Sequence, residues 1–279
     1  MIMGDRYGAP GRKGWLLIFA AALFLFVMLV LPLVLVASEA LGRGWQTYVR
    51  ALTDPFAVKA LYLTLEATIS AVVLNTLFGL ASAWLLTKYD FRGKTLLAAL
   101  IDLPFAISPV VAGLFFVTLF GRIGPLYPFL QSHHIAVLFA VPGIILATIF
   151  VTFPFITREL MPVMEQQGRS EEEAAATFGA TGWQIFRRVT WPNIRWALLY
   201  GVILCTARAM GEFGAVSVVS GHIRGKTTTL PLHIEMLYNE YDFTAAFAVA
   251  SVLVLMAIVI LVLRNIVEWR AKGGLDHVD

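Results

Sequence analysis

The 279-residue sequence has few charged residues and one cysteine, and both scarcities exclude classes of protein. Charged residues make up 14% of the chain and hydrophobic residues 59%, which excludes a disordered chain and an ordinary soluble domain. The lone Cys205 excludes an intrachain disulfide and a cysteine-based metal cluster, and its apolar neighbours favour a small packed side chain. The composition therefore indicates a polytopic membrane protein. We find no internal repeat, low-complexity segment or second domain, so one transmembrane domain is expected over residues 1–279.

Apolar runs recur along the chain and predict an all-α protein with six membrane spans. The first run, residues 16–37, has no charge over 22 residues. It is long enough to cross a bilayer and long for the apolar region of a signal peptide, so we expect an uncleaved span. The predicted spans are residues 16–37, 60–87, 96–120, 135–157, 196–220 and 244–263, and the predicted outer loops are residues 38–59, 121–134 and 221–243.

Lysine and arginine are distributed unevenly between the two sides of this topology. If the N-terminus is cytoplasmic, inner segments carry 14 of these cations and outer segments carry six, with Arg208 inside a span. The inner cations are Arg6, Arg12, Lys13, Lys88, Arg92, Lys94, Arg158, Arg169, Arg187, Arg188, Arg195, Arg264, Arg270 and Lys272. Because the excess of Lys and Arg marks the cytoplasmic side of a membrane protein, both termini are predicted to be cytoplasmic.

The segment 170–192, SEEEAAATFGATGWQIFRRVTWP, is water-compatible and lies between two strongly apolar spans. Ser170 and the glutamate three residues later form a capping-box pattern, which predicts a helix start. Gly179 is typical of a helix stop. Thr181 and the glutamine three residues later repeat the capping pattern, and Pro192 is expected to end the second helix. The segment therefore predicts two short helices around a glycine, on the cytoplasmic side.

Both predicted helices carry apolar side chains that a short loop cannot bury in a core of its own. These side chains are Ala174, Ala175 and Phe178 in the first helix, and Trp183, Ile185, Phe186 and Val189 in the second. Exposed apolar faces of this kind usually mark a contact surface. We expect them to dock on the rest of the chain or on another protein.

This segment resembles the EAA loop of permease subunits of binding-protein-dependent ABC importers. The family pattern is Glu-Ala-Ala, three residues, Gly, nine residues, Ile, one residue and Leu-Pro. The residues that match at that spacing are Glu173, Ala174, Ala175, Gly179 and Pro192. Val189 stands where the family usually has Ile, and Trp191 where it usually has Leu. A DNA-binding helix-turn-helix also places a glycine between short helices, but an acidic first helix tethered at both ends to membrane spans disfavours it.

The resemblance implies a MetI-like permease fold in a bacterial inner membrane, with an EAA coupling loop at about residues 159–195. It also implies partners: a second homologous permease, a dimer of an ATPase subunit and an extracytoplasmic sulfate/thiosulfate-binding protein, with lipid around them and no nucleic acid. ATP and Mg would be used by the ATPase, so this chain would bind no cofactor and catalyse no reaction. Within the loop, the resemblance gives Glu173 the role of orienting the first helix and Gly179 that of permitting the turn.

The anion carried by such a permease stays open between two groups. The strings DLPFAISPVVAGL, FVTFPFITRELMPVM, FGATGWQIFRRVTWPNIRWALLYGV and ARAMGEFGAVSVVSG resemble the sulfate/thiosulfate branch of the family. Permeases for molybdate and tungstate share part of this pattern, and they usually work as identical pairs. No set of residues in the sequence indicates the size of the anion that is carried.

Three ionisable residues are predicted to lie within the spans. Arg208 falls near mid-membrane, and Glu212 follows four residues later on the same helix face. The two either pair to stabilise the helix packing, which we favour, or help to form an anion pathway. Asp102, which precedes Pro104 and Pro109, is expected to cap a helix or pair with a loop cation near the inner interface. A membrane-embedded enzyme with these three residues as its site is an alternative of another class, and it would act without partners.

Two further motifs are weaker than they look. GHIRGKTT at 221–228 has only three residues between Gly221 and Gly225, whereas a nucleotide P-loop needs four, so a solvated outer turn is expected. His133 and His134 are adjacent without further ligands, which is typical of a loop surface rather than a metal site.

Overall fold

The computed structural model describes residues 12–273, and in that range the regular secondary structure is entirely helical. Arg6 and both termini lie outside the described residues, as do the side chains of Arg12 and Lys272. The cytoplasmic location of the termini therefore stays a prediction. The elements are α1 (Arg12–Leu25), the π-helical segment π1 (Phe26–Val30), α2 (Leu31–Leu41), α3 (Trp45–Leu52), α4 (Pro55–Lys88), α5 (Lys94–Ala106), α6 (Pro109–Phe120), α7 (Tyr127–Ser132), α8 (Val141–Gln167), α9 (Ser170–Thr177), α10 (Gly182–Ile185), the second π-helical segment π2 (Phe186–Thr190), α11 (Trp191–Met210), α12 (Gly214–Val219), α13 (Leu230–Asn239) and α14 (Phe243–Gly273).

Four uninterrupted helices are long and apolar enough to cross a membrane: Lys13–Leu41, α4, α8 and α14. They correspond to the predicted spans 16–37, 60–87, 135–157 and 244–263. The boundaries of α8 differ most, since it begins at Val141 and continues through Pro154 and Pro162 to Gln167. Membrane helices tolerate internal prolines because neighbouring groups satisfy the freed carbonyls, so Pro154 was not the stop signal it would be in water.

The predicted span 96–120 is bent rather than straight. The helix axis bends by 110° between α5 and α6, across Ile107 and Ser108. Ser108 has an extended conformation, as expected for a residue before a proline. Pro104 lies inside α5 and does not interrupt it. The break therefore falls at Pro109 and not at the first proline.

The predicted span 196–220 is divided into α11 and α12 by a turn over residues 211–213. Arg195 and Arg208 lower the hydropathy of α11, and it is not among the helices that qualify as spans by length and composition. Four single helices and one bent pair qualify, so the count of six spans stays a prediction. The three predicted outer loops each contain a short helix that was not predicted: α3, α7 and α13.

The core forms where α4, α8 and α11 pack together. Its largest apolar cluster comprises Ala83, Ile156, Leu160, Met164, Ile194, Leu198 and Cys205. Asn75 of α4 lies fully buried at the junction and donates hydrogen bonds to Thr152 Oγ1 at 2.8 Å and to the Ile149 carbonyl at 3.2 Å. Cys205 is completely buried beside it, which confirms the expected packing role. The loop described next lies where the end of α4, the end of α8 and the start of α11 meet.

Candidate functional site

The loop that follows α8 begins with α9, which starts at Ser170 as predicted but without the predicted capping box. Ser170 is the first helical residue, and Arg169 occupies the position before it without a side-chain capping bond. The Glu173 N–H donates to the Arg169 carbonyl at 2.9 Å, as in a regular α-helix. A capping residue must be non-helical, so the capping box predicted at Ser170 is wrong, and Glu173 does not cap the helix. Three consecutive glutamates nevertheless fall in the first turn, where the helix dipole favours negative charge.

Gly179 ends α9 as predicted. Its φ of +84° lies in the left-handed region, which costs a side-chain-bearing residue about 1–2 kcal/mol. The Gly179 N–H donates to the Ala176 carbonyl at 2.9 Å, and the Ala180 N–H donates to the Ala175 carbonyl at 3.1 Å. These two bonds form a Schellman motif and satisfy the last carbonyls of the helix.

The second loop helix begins as predicted but does not end at Pro192. The capping box between Thr181 and Gln184 is present, which confirms the start. From there α10, π2 and α11 form one continuous helix from Gly182 to Met210. Pro192 lies in the first turn of α11, where its missing N–H coincides with the change from π to α hydrogen bonding. The second loop helix is therefore continuous with the membrane helix that follows.

A polar cluster fixes α9 to the end of α4 and to the continuous helix from Gly182 to Met210. Glu172 Oε1 lies 3.1 Å from Lys88 Nζ at the end of α4, and it accepts a hydrogen bond from Thr190 Oγ1 at 2.7 Å. Glu171 Oε2 accepts from Asn193 Nδ2 of α11 at 2.9 Å. Lys88 and Glu172 were not among the predicted site residues, because no spacing rule pairs side chains from two separate inner loops.

The exposed connection between α4 and α5 adds a second, weaker link. Asp90 Oδ1 lies 3.0 Å from Lys94 Nζ, and Asp90 Oδ2 lies 3.6 Å from Arg169 Nη2. The hydrogen bond from Lys94, together with the charges of Lys94 and Arg169, lowers the pKa of Asp90. The carboxylate is open to water, so these pairs contribute little to stability.

The apolar residues of the loop divide into docked and outward-facing groups. The Phe186 ring packs against Trp84 of α4 with ring centroids 5.7 Å apart, so the second helix docks on the chain itself. Phe178 is 92% exposed and Trp183 is 69% exposed. The matched residues Glu173, Ala174, Gly179 and Pro192 are also exposed, and Ala175 is half-buried. Glu173 has no side-chain partner within the described residues.

Arg208 and Glu212 form the predicted pair, with 2.6 Å between Arg208 Nη1 and Glu212 Oε2. Glu212 lies in the turn after α11, is only 2% exposed, and accepts a hydrogen bond from the Ala215 N–H at 2.8 Å. Its carboxylate thus joins the end of α11 to the start of α12. The Arg208 side chain remains 32% exposed.

Asp102 pairs with Arg158 and not with Arg208 or Glu212. The distance from Arg158 Nε to Asp102 Oδ1 is 2.8 Å, and the guanidinium lies over the Phe105 ring at 4.9 Å. Pairing was one of the two expected roles, but the cation comes from within α8 because that helix extends further than predicted. The three predicted intramembrane residues therefore do not form a single site.

The two weaker motifs have structural roles. In the turn at 221–228, Thr227 Oγ1 accepts from the Ile223 N–H at 3.1 Å, and Thr228 Oγ1 donates to the Ile223 carbonyl at 3.0 Å. Both threonines are buried, so the expected solvated turn is wrong for this half of the motif. His133 Nδ1 bonds the Phe129 carbonyl at 2.9 Å. No group of three or more metal-ligating side chains occurs in the part of the chain that the structure describes.

Known proteins match this chain over most of its length. Residues 75–272 match the family described as "Binding-protein-dependent transport system inner membrane component". The sulfate transport system permease protein CysW of Escherichia coli (strain K12) is 49% identical over 259 residues, which cover 93% of this chain and 89% of CysW. The sulfate transport system permease protein CysT of the same strain is 40% identical over 248 residues, which cover 89% of this chain and 90% of CysT.

The fold is shared with a more distant solved structure. A crystal structure of a bacterial alginate ABC transporter, in complex with an alginate pentasaccharide-bound periplasmic protein, contains a chain that superposes with a TM-score of 0.77. It is 17% identical in sequence and covers 93% of this chain and 96% of that one. At this identity the likeness concerns the fold alone.

Proposed function

Because this chain belongs to the family of binding-protein-dependent transport system inner membrane components, we propose that it is a sulfate permease subunit of an ATP-driven ABC importer. Membership makes it an inner-membrane transport subunit and not an enzyme. The observation that supports sulfate is its similarity, over most of its length, to two different sulfate permeases, CysW and CysT. We extend the proposal to thiosulfate, whose charge and shape are close to those of sulfate.

The proposed importer contains a second permease, an ATPase dimer and an extracytoplasmic binding protein. The second permease would be of the CysT type, because a CysW and a CysT occur together in Escherichia coli. ATP and Mg would be bound by the ATPase dimer, and the binding protein would deliver the anion from outside. This chain and the second permease would together enclose the pathway, which opens alternately to the two sides of the membrane.

The loop at 170–192 is the proposed contact with the ATPase. Phe178 and Trp183 are large apolar side chains that the chain leaves uncovered, as expected for residues that anchor a partner. Glu173 is exposed beside them and would meet a cation of the partner, while Gly179 permits the turn between the helices. When ATP binding closes the ATPase dimer, the continuous helix from Gly182 to Met210 would carry the displacement into the membrane.

Arg208 is the candidate cation of the anion pathway. A charge in hydrocarbon costs at least about 2.5–3.5 kcal/mol, so the exposed third of this side chain should face the second permease or an aqueous cavity and not lipid. Glu212 holds the guanidinium from the buried side. Asp102 and Arg158 compensate each other and would present little net charge to a passing anion.

Uptake of radiolabelled sulfate tests this proposal. The chain is expressed with its proposed partners in a strain that lacks its own sulfate permeases. We expect sulfate uptake to be restored, unlabelled thiosulfate to compete, and a tenfold excess of molybdate to leave uptake unchanged. A molybdate or tungstate permease, the alternative of the same architecture, would give the reverse pattern of competition. Restored molybdate uptake without sulfate uptake would therefore reject sulfate as the substrate.

A further inference from the structure

Helix α9, on the predicted cytoplasmic side, has no buried residue that would hold it against the rest of the protein. It is only eight residues long. A glycine of positive φ flanks it on each side: Gly168 at +66° and Gly179 at +84°. No atom lies within 4 Å of the position that a Cβ would take at either glycine. A helix this short is marginal by itself, so its orientation depends on side-chain contacts rather than on apolar burial.

Among the ion pairs at α9 and its flanks, the one with Lys88 is the most protected from water. The Lys88 side chain is 5% exposed and that of Glu172 is 14% exposed, with 3.1 Å between ammonium and carboxylate. The other charge contact near the helix, between Arg169 and Asp90, is longer, at 3.6 Å, and open to solvent. Ion pairs weaken steeply with exposure, so the Lys88–Glu172 pair dominates the electrostatic attachment of α9.

Lys88 also contacts Gly168, one of the two glycines that flank α9. Its ammonium donates to the Gly168 carbonyl at 2.6 Å, so one group contacts both this flanking glycine and the first turn of α9. The lysine is the last residue of α4, where the helix dipole favours a cation. Glu172 in turn bonds Thr190 of π2. The contact therefore links α4, α9 and the helix that continues into α11.

We propose that Lys88 is the positioning residue that fixes the orientation of α9 on α4, so that a displacement of α9 reaches α4 directly as well as the α10–α11 helix. The inference rests on the proposed ATPase contact and adds a residue outside the loop to it. Lys88 does not touch the anion or the ATPase in this proposal; it acts through Glu172. Without the charge of Lys88, α9 would rotate about its two flanking glycines before it displaced the membrane helices.

The test compares Lys88→Met with Lys94→Met in the complete complex of permeases, ATPase and binding protein. Lys94 is a matched control, because it also pairs with a carboxylate in the same inner loop, at 3.0 Å, but in an exposed position. Glu172→Gln is a second, nearly isosteric variant that keeps an acceptor for Thr190. Each variant carries Ala176→Cys in α9 for a nitroxide label, and the native Cys205 is buried.

Two readouts are taken from each complex: the mobility of the nitroxide and the sulfate imported per ATP hydrolysed. We expect Lys88→Met and Glu172→Gln to raise the mobility and to lower the import per ATP by about twofold to thirtyfold, with Lys94→Met unchanged. The double variant Lys88→Met, Glu172→Gln should show the same mobility and the same import per ATP as either single variant, because each substitution removes the same interaction. Both readouts are taken per assembled complex, so a lower yield of protein does not affect them.

Unchanged mobility or unchanged import per ATP in Lys88→Met would overturn the inference, as would strictly additive effects in the double variant. Failure of the proposed function gives a different result. In that case the unmodified complex would show no ATPase activity that depends on the binding protein. The nitroxide comparison would still show whether Lys88 holds α9, because it requires no transport.

Discussion

Glu212 shows how one buried carboxylate can join two helices and hold a cation. One oxygen accepts from the Ala215 N–H at the start of α12, and the other contacts Arg208 near the end of α11. A buried pair of this kind contributes little net stability, but removal of one partner leaves the other as an uncompensated charge. The pair therefore needs both members, whichever role it has in transport.

We predict that Arg208→Met destabilises the protein because it leaves Glu212 buried without its cation. Since Arg208 is partly exposed, the expected loss of unfolding free energy is about 1–3 kcal/mol. The double variant Arg208→Met, Glu212→Gln should recover most of it, since no buried charge remains. Thermal unfolding of the detergent-solubilised protein measures the loss and its recovery. Arg43→Met, which removes an exposed cation elsewhere in the chain, is the control.

Transport by the double variant then separates the two roles of the pair. If Arg208 only stabilises the packing, a stable double variant imports sulfate at close to the normal rate. A stable double variant that fails to import would contradict this role and assign Arg208 to the anion pathway.

At the residue scale, sequence reasoning succeeded for local pairs and failed for distant ones. Arg208 and Glu212 are four residues apart, so helix geometry predicts their contact. Asp102 and Arg158 are separated by 56 positions, and Lys88 and Gly168 by 80. Contacts of that kind depend on how α4, α5 and α8 pack, which a single sequence does not specify.

At the scale of elements, the loop after α8 was predicted in outline but not in its connection to the membrane. The Gly179 stop and the Thr181 capping box are local signals, and the structure confirms both. Pro192 was misread as a helix end because a proline normally breaks an α-helix. The π-helical segment before it shifts the hydrogen-bond register and accommodates the proline, and no sequence pattern marks such a segment.

We predict that Gly179→Arg leaves membrane insertion intact and abolishes the stimulation of ATPase activity by the binding protein. The φ of +84° is unfavourable for arginine by about 1–2 kcal/mol, and the added side chain would project from the exposed turn between α9 and α10. Gly93→Arg is a matched control, since Gly93 has a φ of +94° in the left-handed region, with equally open space between α4 and α5. ATPase assays on reconstituted complexes measure the effect. A Gly179→Arg complex that imports normally would refute a role of this turn in coupling.

At the scale of the whole molecule, composition and charge predicted more of the architecture than any motif did. The scarcity of charge predicted a membrane protein, which the family confirms, and the asymmetry of cations predicts that the loop at 170–192 lies on the inner side. The number of spans was harder to predict because α11 carries two arginines and the α5–α6 pair is sharply bent.

The pairing of this chain with a second permease is also a property of the whole molecule. Its identity of 49% to CysW and 40% to CysT favours a pair in which this chain occupies the CysW position and a different, CysT-like chain the other. An identical pair, usual in molybdate permeases, would need a surface that is complementary to itself under a two-fold axis. A mixed pair needs no such self-complementarity.

We therefore predict that two differently tagged copies of this chain do not co-purify when the CysT-like permease is present, whereas each copy co-purifies with that permease and with the ATPase. Co-expression of both tagged copies, followed by sequential affinity purification in detergent, measures this directly. Expression without the second permease is the control, and it should give little assembled ATPase. Recovery of both tags in one complex with the ATPase, in the presence of the second permease, would show an identical pair. Combined with the competition by molybdate, that result would move the protein to the other branch of its family.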